Sequence, residues 1–146
     1  MHRIARIVSP AFINRVWPSI SPLIIESMNP DYRLNGTIND RIHSALLDRS
    51  VQLWVLLNDN KIAALAVTSI SLQRLTGEKR VVIESLMEAK PLTDTEQKAI
   101  LDHLLSFGKK NECTQLISYI SAPVGDAFPS ANGFRANVRM VRKDIV

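Results

Sequence analysis

Cysteine is almost missing from this chain. Cys113 is the only one in 146 residues, which excludes an internal disulfide framework and a cysteine-based zinc cluster. A reducing compartment is the natural setting. No apolar run reaches the roughly 18 to 20 residues that span a bilayer, so no membrane segment is expected. His2, Arg3 and Arg6 open the chain with no continuous apolar stretch behind them, so no signal peptide is expected either. There is no internal repeat and no low-complexity segment. Charge of one sign is not in excess: the net value is +4, too small and too spread out to announce nucleic-acid binding. The densest basic stretch is Arg135, Arg139, Arg142 and Lys143, which reads as a solvated strand face. Glycine is also scarce, at five residues, and none of them falls between Met87 and Glu96.

What is present suits one domain over residues 1–146. The chain is 46% hydrophobic and 22% charged, close to the averages for a folded globular domain. Residues 1–8 alternate as a short strand. Ser9-Pro10 supplies an N-cap and a first helical position. The helix carrying Phe12, Ile13, Val16 and Trp17 is expected to break near Pro18 and to restart at Ser21-Pro22, because an internal proline removes a hydrogen bond and clashes with the preceding turn. Thr37-Ile38-Asn39-Asp40 reads as a cap for a helix running to about Arg49. Three strands follow, Val51–Leu57, Lys61–Leu72 and Val81–Met87, joined by turns at Asn58-Asp59-Asn60 and around Gly77. Thr93-Asp94-Thr95-Glu96 is a capping box for a helix ending at Gly108. Thr114–Ile120 is a strand, residues 122–133 an irregular connection, and Phe134–Ile145 a last strand. The order implies an α/β (α+β) domain, a sheet with helices on its faces.

That order, with several short motifs, resembles the GNAT family of N-acetyltransferases. Val16-Trp17-Pro18, Gln52-Leu53-Trp54-Val55, Ala66-Val67-Thr68-Ser69-Ile70 and Asn111-Glu112-Cys113-Thr114 look like small phage- and prophage-encoded GNAT-like proteins. Asn132-Gly133-Phe134-Arg135 resembles the Gly-Phe signature opening the family's last strand. The resemblance implies a mixed, mostly antiparallel central sheet flanked by helices. Its fourth and fifth strands would run parallel and splay apart to hold acetyl-CoA.

The family grips the cofactor's pyrophosphate with a glycine-rich loop, whose backbone amides converge on the anion. The corresponding stretch runs from Met87 to Glu96. It has no glycine, Pro91 lacks an amide donor, and Glu88, Asp94 and Glu96 bring negative charge; only Lys90 favours an anion. If acetyl-CoA binds, Leu86, Met87, Glu88, Thr93 and Asp94 are the residues placed to meet it. The family's thiolate-protonating tyrosine falls near Phe128 and Pro129, which cannot donate a proton, and its fifth-strand asparagine is replaced around Ser121 and Ala122. Tyr119 is the nearest tyrosine and reads as a packing residue. Glu84 remains as candidate base, expected on one strand face with Val82 and Leu86. His43 and His103 lack a second ligand at metal spacing, Cys113 reads as a structural thiol, and no metal site is expected. Trp17 and Trp54 are expected to pack.

The reading that follows is a non-catalytic GNAT-fold protein that requires no cofactor. It would act as a phage accessory or virion-associated component on protein partners, either virion proteins or a second copy of itself, in the bacterial cytoplasm or the virion. Membrane and nucleic acid are not among its partners. The alternative is an active acetyl-CoA-dependent N-acetyltransferase using Glu84.

Overall fold

The computed structural model describes residues 2–28 and 37–118, together with 129, 132–135, 143 and 145. Strands β1 (His2–Ile7), β2 (Val51–Asn58), β3 (Lys61–Leu72), β4 (Lys79–Glu88) and β5 (Gln115–Ser118) form one sheet in chain order. The first three pairings are antiparallel and β4–β5 is parallel, the mixed, mostly antiparallel sheet that the resemblance implies. A parallel neighbour requires a crossover, and α3 (Asp94–Lys110) supplies it. Helices α1 (Pro10–Glu26) and α2 (Ile38–Leu47) precede β2.

Strand alternation sorts the core into two layers. Leu53, Val55, Leu65 and Val67 pack against Ile13, Trp17, Ile24, Ile42 and Leu46 of α1 and α2. Trp54, Leu56, Ala64 and Ala66 point the other way, onto Ile100 and Leu104 of α3. Both tryptophans are buried, as expected, and each indole N–H finds an acceptor. Trp17 donates to Asn39 Oδ1 at 2.8 Å and Trp54 to Thr68 Oγ1 at 2.9 Å. The Thr68 hydroxyl in turn donates to Gln52 at 2.8 Å, so this buried polar group is satisfied within one face of the sheet.

The turns obey their local chemistry. Asp59 and Asn60 both have positive φ, 49° and 64°, the signature of a two-residue type I′ hairpin. Gly77 holds φ 75° in the β3–β4 turn. Thr93 and Glu96 form the reciprocal capping box at the start of α3.

Three local expectations need correction. The first helix does not break: α1 is continuous through Pro18 and Pro22. Those prolines are four residues apart on its exposed side, so the carbonyls they leave without donors, of Asn14 and Pro18, face water. Meanwhile the buried stripe Ile13, Trp17, Ile20, Ser21 and Ile24 runs unbroken beneath. Packing of that stripe outweighs the local penalty. Thr37 occupies the N-cap of α2, but its φ of −97° and ψ of 3° do not aim its side chain at the first turn. Gly108 does not end α3. It lies inside the helix where a Cβ would come 3.1 Å from Val81 Cγ2, so its smallness admits β4. The helix ends two residues later in a Schellman motif. Cys113 N–H donates to Gly108 at 2.8 Å and Glu112 N–H to Lys109 at 3.2 Å, with Glu112 left-handed at φ 59°.

The expected last strand over 134–145 and the connection over 122–133 lie largely outside the described residues, as do Tyr119, Ser121, Ala122 and Phe128. Of the basic stretch only Arg135 and Lys143 are described, and both are exposed.

Candidate functional site

The middle of β4 carries an irregularity that local sequence does not announce. Val67 pairs with Ser85 and the next residue, Thr68, pairs with Ile83. Glu84 therefore has no residue opposite it, which defines a β-bulge. The extra residue resets the alternation. Ile83 and Leu86 both join the α3-side core, whereas Ser85 donates its hydroxyl to the Ile24 carbonyl of α1 at 3.1 Å. Glu84 is half-buried and accepts from Ser69 Oγ at 2.8 Å. Ser69 lies opposite Val82, so Glu84 keeps the expected neighbour Val82. It does not share a face with Leu86, because the bulge sends Leu86 to the opposite side.

Among the described residues, parallel pairing with β5 runs from Arg80–Gln115 to Ile83–Ser118. Beyond it, the edge of β4 turned toward β5 is met among the described residues by Met28, which forms an isolated antiparallel bridge to Ser85. An extended ligand with amide groups could add to such an edge. The continuation of β5 that would show a splay begins at residue 119, outside the described residues.

Following the strand toward α3, the remaining candidates separate. Leu86 packs against the α3-side core and Met87 against the α1 side, both partly buried, so they turn to opposite faces of the sheet. Glu88 accepts the Leu92 N–H. Partial desolvation pushes its carboxyl above the usual glutamate range, with that hydrogen bond pulling the other way. Thr93 N–H donates to Glu96 Oε2 at 3.1 Å and Glu96 N–H to Thr93 Oγ1 at 3.2 Å. The Glu96 carboxylate is fastened from a second side by Asn58 Nδ2 at 3.0 Å. Asp94 begins the helix and is exposed. The amides of Leu92, Thr93 and Glu96 thus meet the chain's own carboxylates and cap, and Ala89 N–H meets the Ala63 carbonyl at 2.9 Å. This arrangement does not fit a pyrophosphate, which would need those donors and would face Glu88 and Asp94.

The Gly-Phe motif docks beside the same helix. Gly133 has φ 76°, a value that favours glycine. Asn132 Nδ2 donates to Gln97 of α3 at 3.0 Å, Phe134 packs against the α3-side core, and Pro129 is buried and accepts from the Phe134 N–H at 3.2 Å.

The other singled-out groups have local structural partners. His43 stacks on Trp17, centroids 5.0 Å apart, and bonds Asn14 at 2.8 Å. His103 lies exposed on α3 against the Ala99 carbonyl at 2.9 Å. Burial pushes the Cys113 thiol up, against a smaller opposite pull from Lys79. Among the described residues no cluster of His, Cys, Asp or Glu could hold a metal, and no helix is long and apolar enough to cross a membrane. Sequence reasoning missed Ser69 and Ser85, the two partners at the bulge. A serine on a strand looks the same whether or not a bulge turns a carboxylate toward it, and only the pairing register tells.

No protein-family model matches the chain, and no curated protein matches it in sequence. Solved structures match its shape over nearly its full length. An aminoglycoside acetyltransferase from an uncultured soil sample superposes with a TM-score of 0.72 at 14% identity, covering 100% of this chain and 99% of that one. A predicted acetyltransferase from Clostridium acetobutylicum, solved with acetyl-CoA, gives 0.70 at 16%, covering 99% and 96%. A GNAT family acetyltransferase from Staphylococcus aureus gives 0.64 at 14%, covering 99% and 98%. At such identities the likeness carries architecture and not activity. With its mixed sheet, parallel β4–β5 step and two helical layers, the chain has the fold of the GNAT acetyltransferases.

Proposed function

We propose that this chain is a GNAT-fold protein that works through contacts with other proteins and not by turning over acetyl-CoA. Its place would be that of a phage accessory or virion-associated component, in the host cytoplasm or the particle. One observation carries the reading: the loop between β4 and α3 is closed by its own side chains. Pro91 has no amide hydrogen, Leu92 donates to Glu88, and Thr93 and Glu96 satisfy each other. A cofactor phosphate would have to displace carboxylates already bonded there, against their charge. The phage assignment rests on the sequence resemblance of the short motifs, among them Trp17 and Trp54. Both are core residues, so those motifs speak for shared packing before shared function.

A second reading is favoured by the bulge. Glu84, half-buried beside Ser69, would serve as general base for an amine, and a structural neighbour was solved with acetyl-CoA. Calorimetry with acetyl-CoA separates the two. The expected outcome is a dissociation constant no tighter than about 100 μM, or no heat at all. Low-micromolar binding with amine acetylation lost in Glu84→Gln would establish the enzyme instead.

A further inference from the structure

The α1 side of the sheet changes character past the core. Val67 belongs to the layer packed under α1 and α2. Ser69 and then Ser71 follow it on the same face of β3. Opposite them on β4 stand Val82 and Arg80. Val81, between these two, turns the other way, its Cγ2 3.1 Å from where a Cβ on Gly108 of α3 would lie. On β5, Leu116 packs against the α3-side core, so Gln115 and Ile117 also face the α1 side, where they pair with Arg80 and Val82. Two cross-strand rows result: Ser71, Arg80 and Gln115, then Ser69, Val82 and Ile117.

The outer row sets a hydroxyl, a guanidinium and a carboxamide side by side, with Ser71 and Gln115 exposed. Its guanidinium is poorly matched within the chain. Arg80 Nε is buried with no acceptor, and among the described residues the carboxylate that Arg80 meets is Glu78, at 3.7 Å. The inner row receives the bulged residue. Glu84 accepts from Ser69 Oγ with one oxygen at 2.8 Å, and its other oxygen has no partner among the described residues. Two residues of strand separate the rows, about 7 Å. Buried Val82 and partly buried Ile117 make an apolar floor beside Ser69. A carboxylate and a guanidinium therefore share one face, each short of a partner and each beside a hydroxyl.

We propose that this face binds a small linear zwitterion. Its ammonium would meet Glu84, its carboxylate would meet Arg80, Ser71 and Gln115, and its methylene chain would lie over Val82 and Ile117. A guanidinium between neutral donors suits a carboxylate. The row spacing disfavours α-amino acids, whose two charged groups share one carbon. The proposal rests on the second reading above only in giving Glu84 an amine to face.

The test is an NMR titration of the isotope-labelled protein with 6-aminohexanoate. No acetyl-CoA is present, so neither outcome of the cofactor calorimetry decides it. Amide shifts should centre on residues 69–71, 80–84 and 115–117 and saturate with a dissociation constant of about 1 mM or tighter. Hexylamine, hexanoate and glycine should each bind at least fivefold more weakly. Arg80→Gln should bring 6-aminohexanoate down to the affinity of hexylamine, and Glu84→Gln to that of hexanoate. A merely structural role would leave those ratios unchanged. Gln115→Glu, at an exposed position, sets a like charge beside the ligand carboxylate and should weaken binding at least fivefold, whether or not Arg80→Gln folds. Absence of saturable shifts, hexylamine binding as tightly as 6-aminohexanoate, or unchanged affinity in Gln115→Glu would each overturn the proposal.

Discussion

Glu88 shows how one carboxylate can shape both stability and binding. Its folded pKa is raised by desolvation, the Leu92 N–H opposing. A carboxyl with a raised folded pKa binds its proton more readily folded than unfolded, so ionising it opposes folding. That opposition is absent below the unfolded value, about 4.3, and grows as pH rises through the folded value. Glu88→Gln keeps an acceptor for Leu92 and removes the charge. Its melting temperature should exceed that of the parent at about pH 7 and match it at about pH 3.5, read by thermal unfolding at both. A uniform shift at both would show that the charge is not the cause. Glu84 and Glu88 illustrate the limit of reading residues singly. Both are strand glutamates with apolar neighbours, yet one is turned toward Ser69 and the other folds back on its own loop. The difference lies in strand register and loop closure, which are set by contacts distant in sequence.

Among the elements, α1 is the most informative failure of local rules. Its two internal prolines predict a break, and their placement on the water side of the helix shows why none occurs. Pro22→Ala would restore an N–H able to donate to the Pro18 carbonyl. It should stabilise the protein by about 1–3 kcal/mol, measured by urea unfolding. A loss of stability would mean that the prolines fix a bend on which the Ile24–Ser85 contact depends. By contrast, α3 was legible at its start, since a capping box is a four-residue code. Its end was not. Gly108 looks like a stop signal, but the buried Val81 methyl group claims the space a side chain would fill, and Glu112 takes the left-handed position.

At the level of the whole molecule, element order could be read directly, because the nearly continuous apolar runs in Gln52–Leu57 and Lys61–Thr68 and the helical spacing in α1, α2 and α3 are local signals. The parallel β4–β5 step followed from the intervening helix. The site was legible only by resemblance, which pointed to the right strand and loop. What it could not supply was the pairing: the bulge, Ser69 opposite Val82, Met28 against Ser85. Each of these joins residues 13 or more positions apart, where nothing in a short window of sequence can see them.

The bulge has an arithmetical consequence. It inserts one residue, so excising residue 84 would join Ile83 to Ser85 and restore an unbroken ladder. Ile83 and Leu86 would still face α3, and Ser85 and Met87 would still face α1. A chain shortened in this way should fold with its core intact, shown by two-state unfolding and a native near-ultraviolet spectrum. Collapse of that variant would make Glu84 a structural residue. Survival would make it a residue the architecture can spare, retained in a strand that would pair more regularly without it, and therefore the first place to look for whatever chemistry this protein still performs.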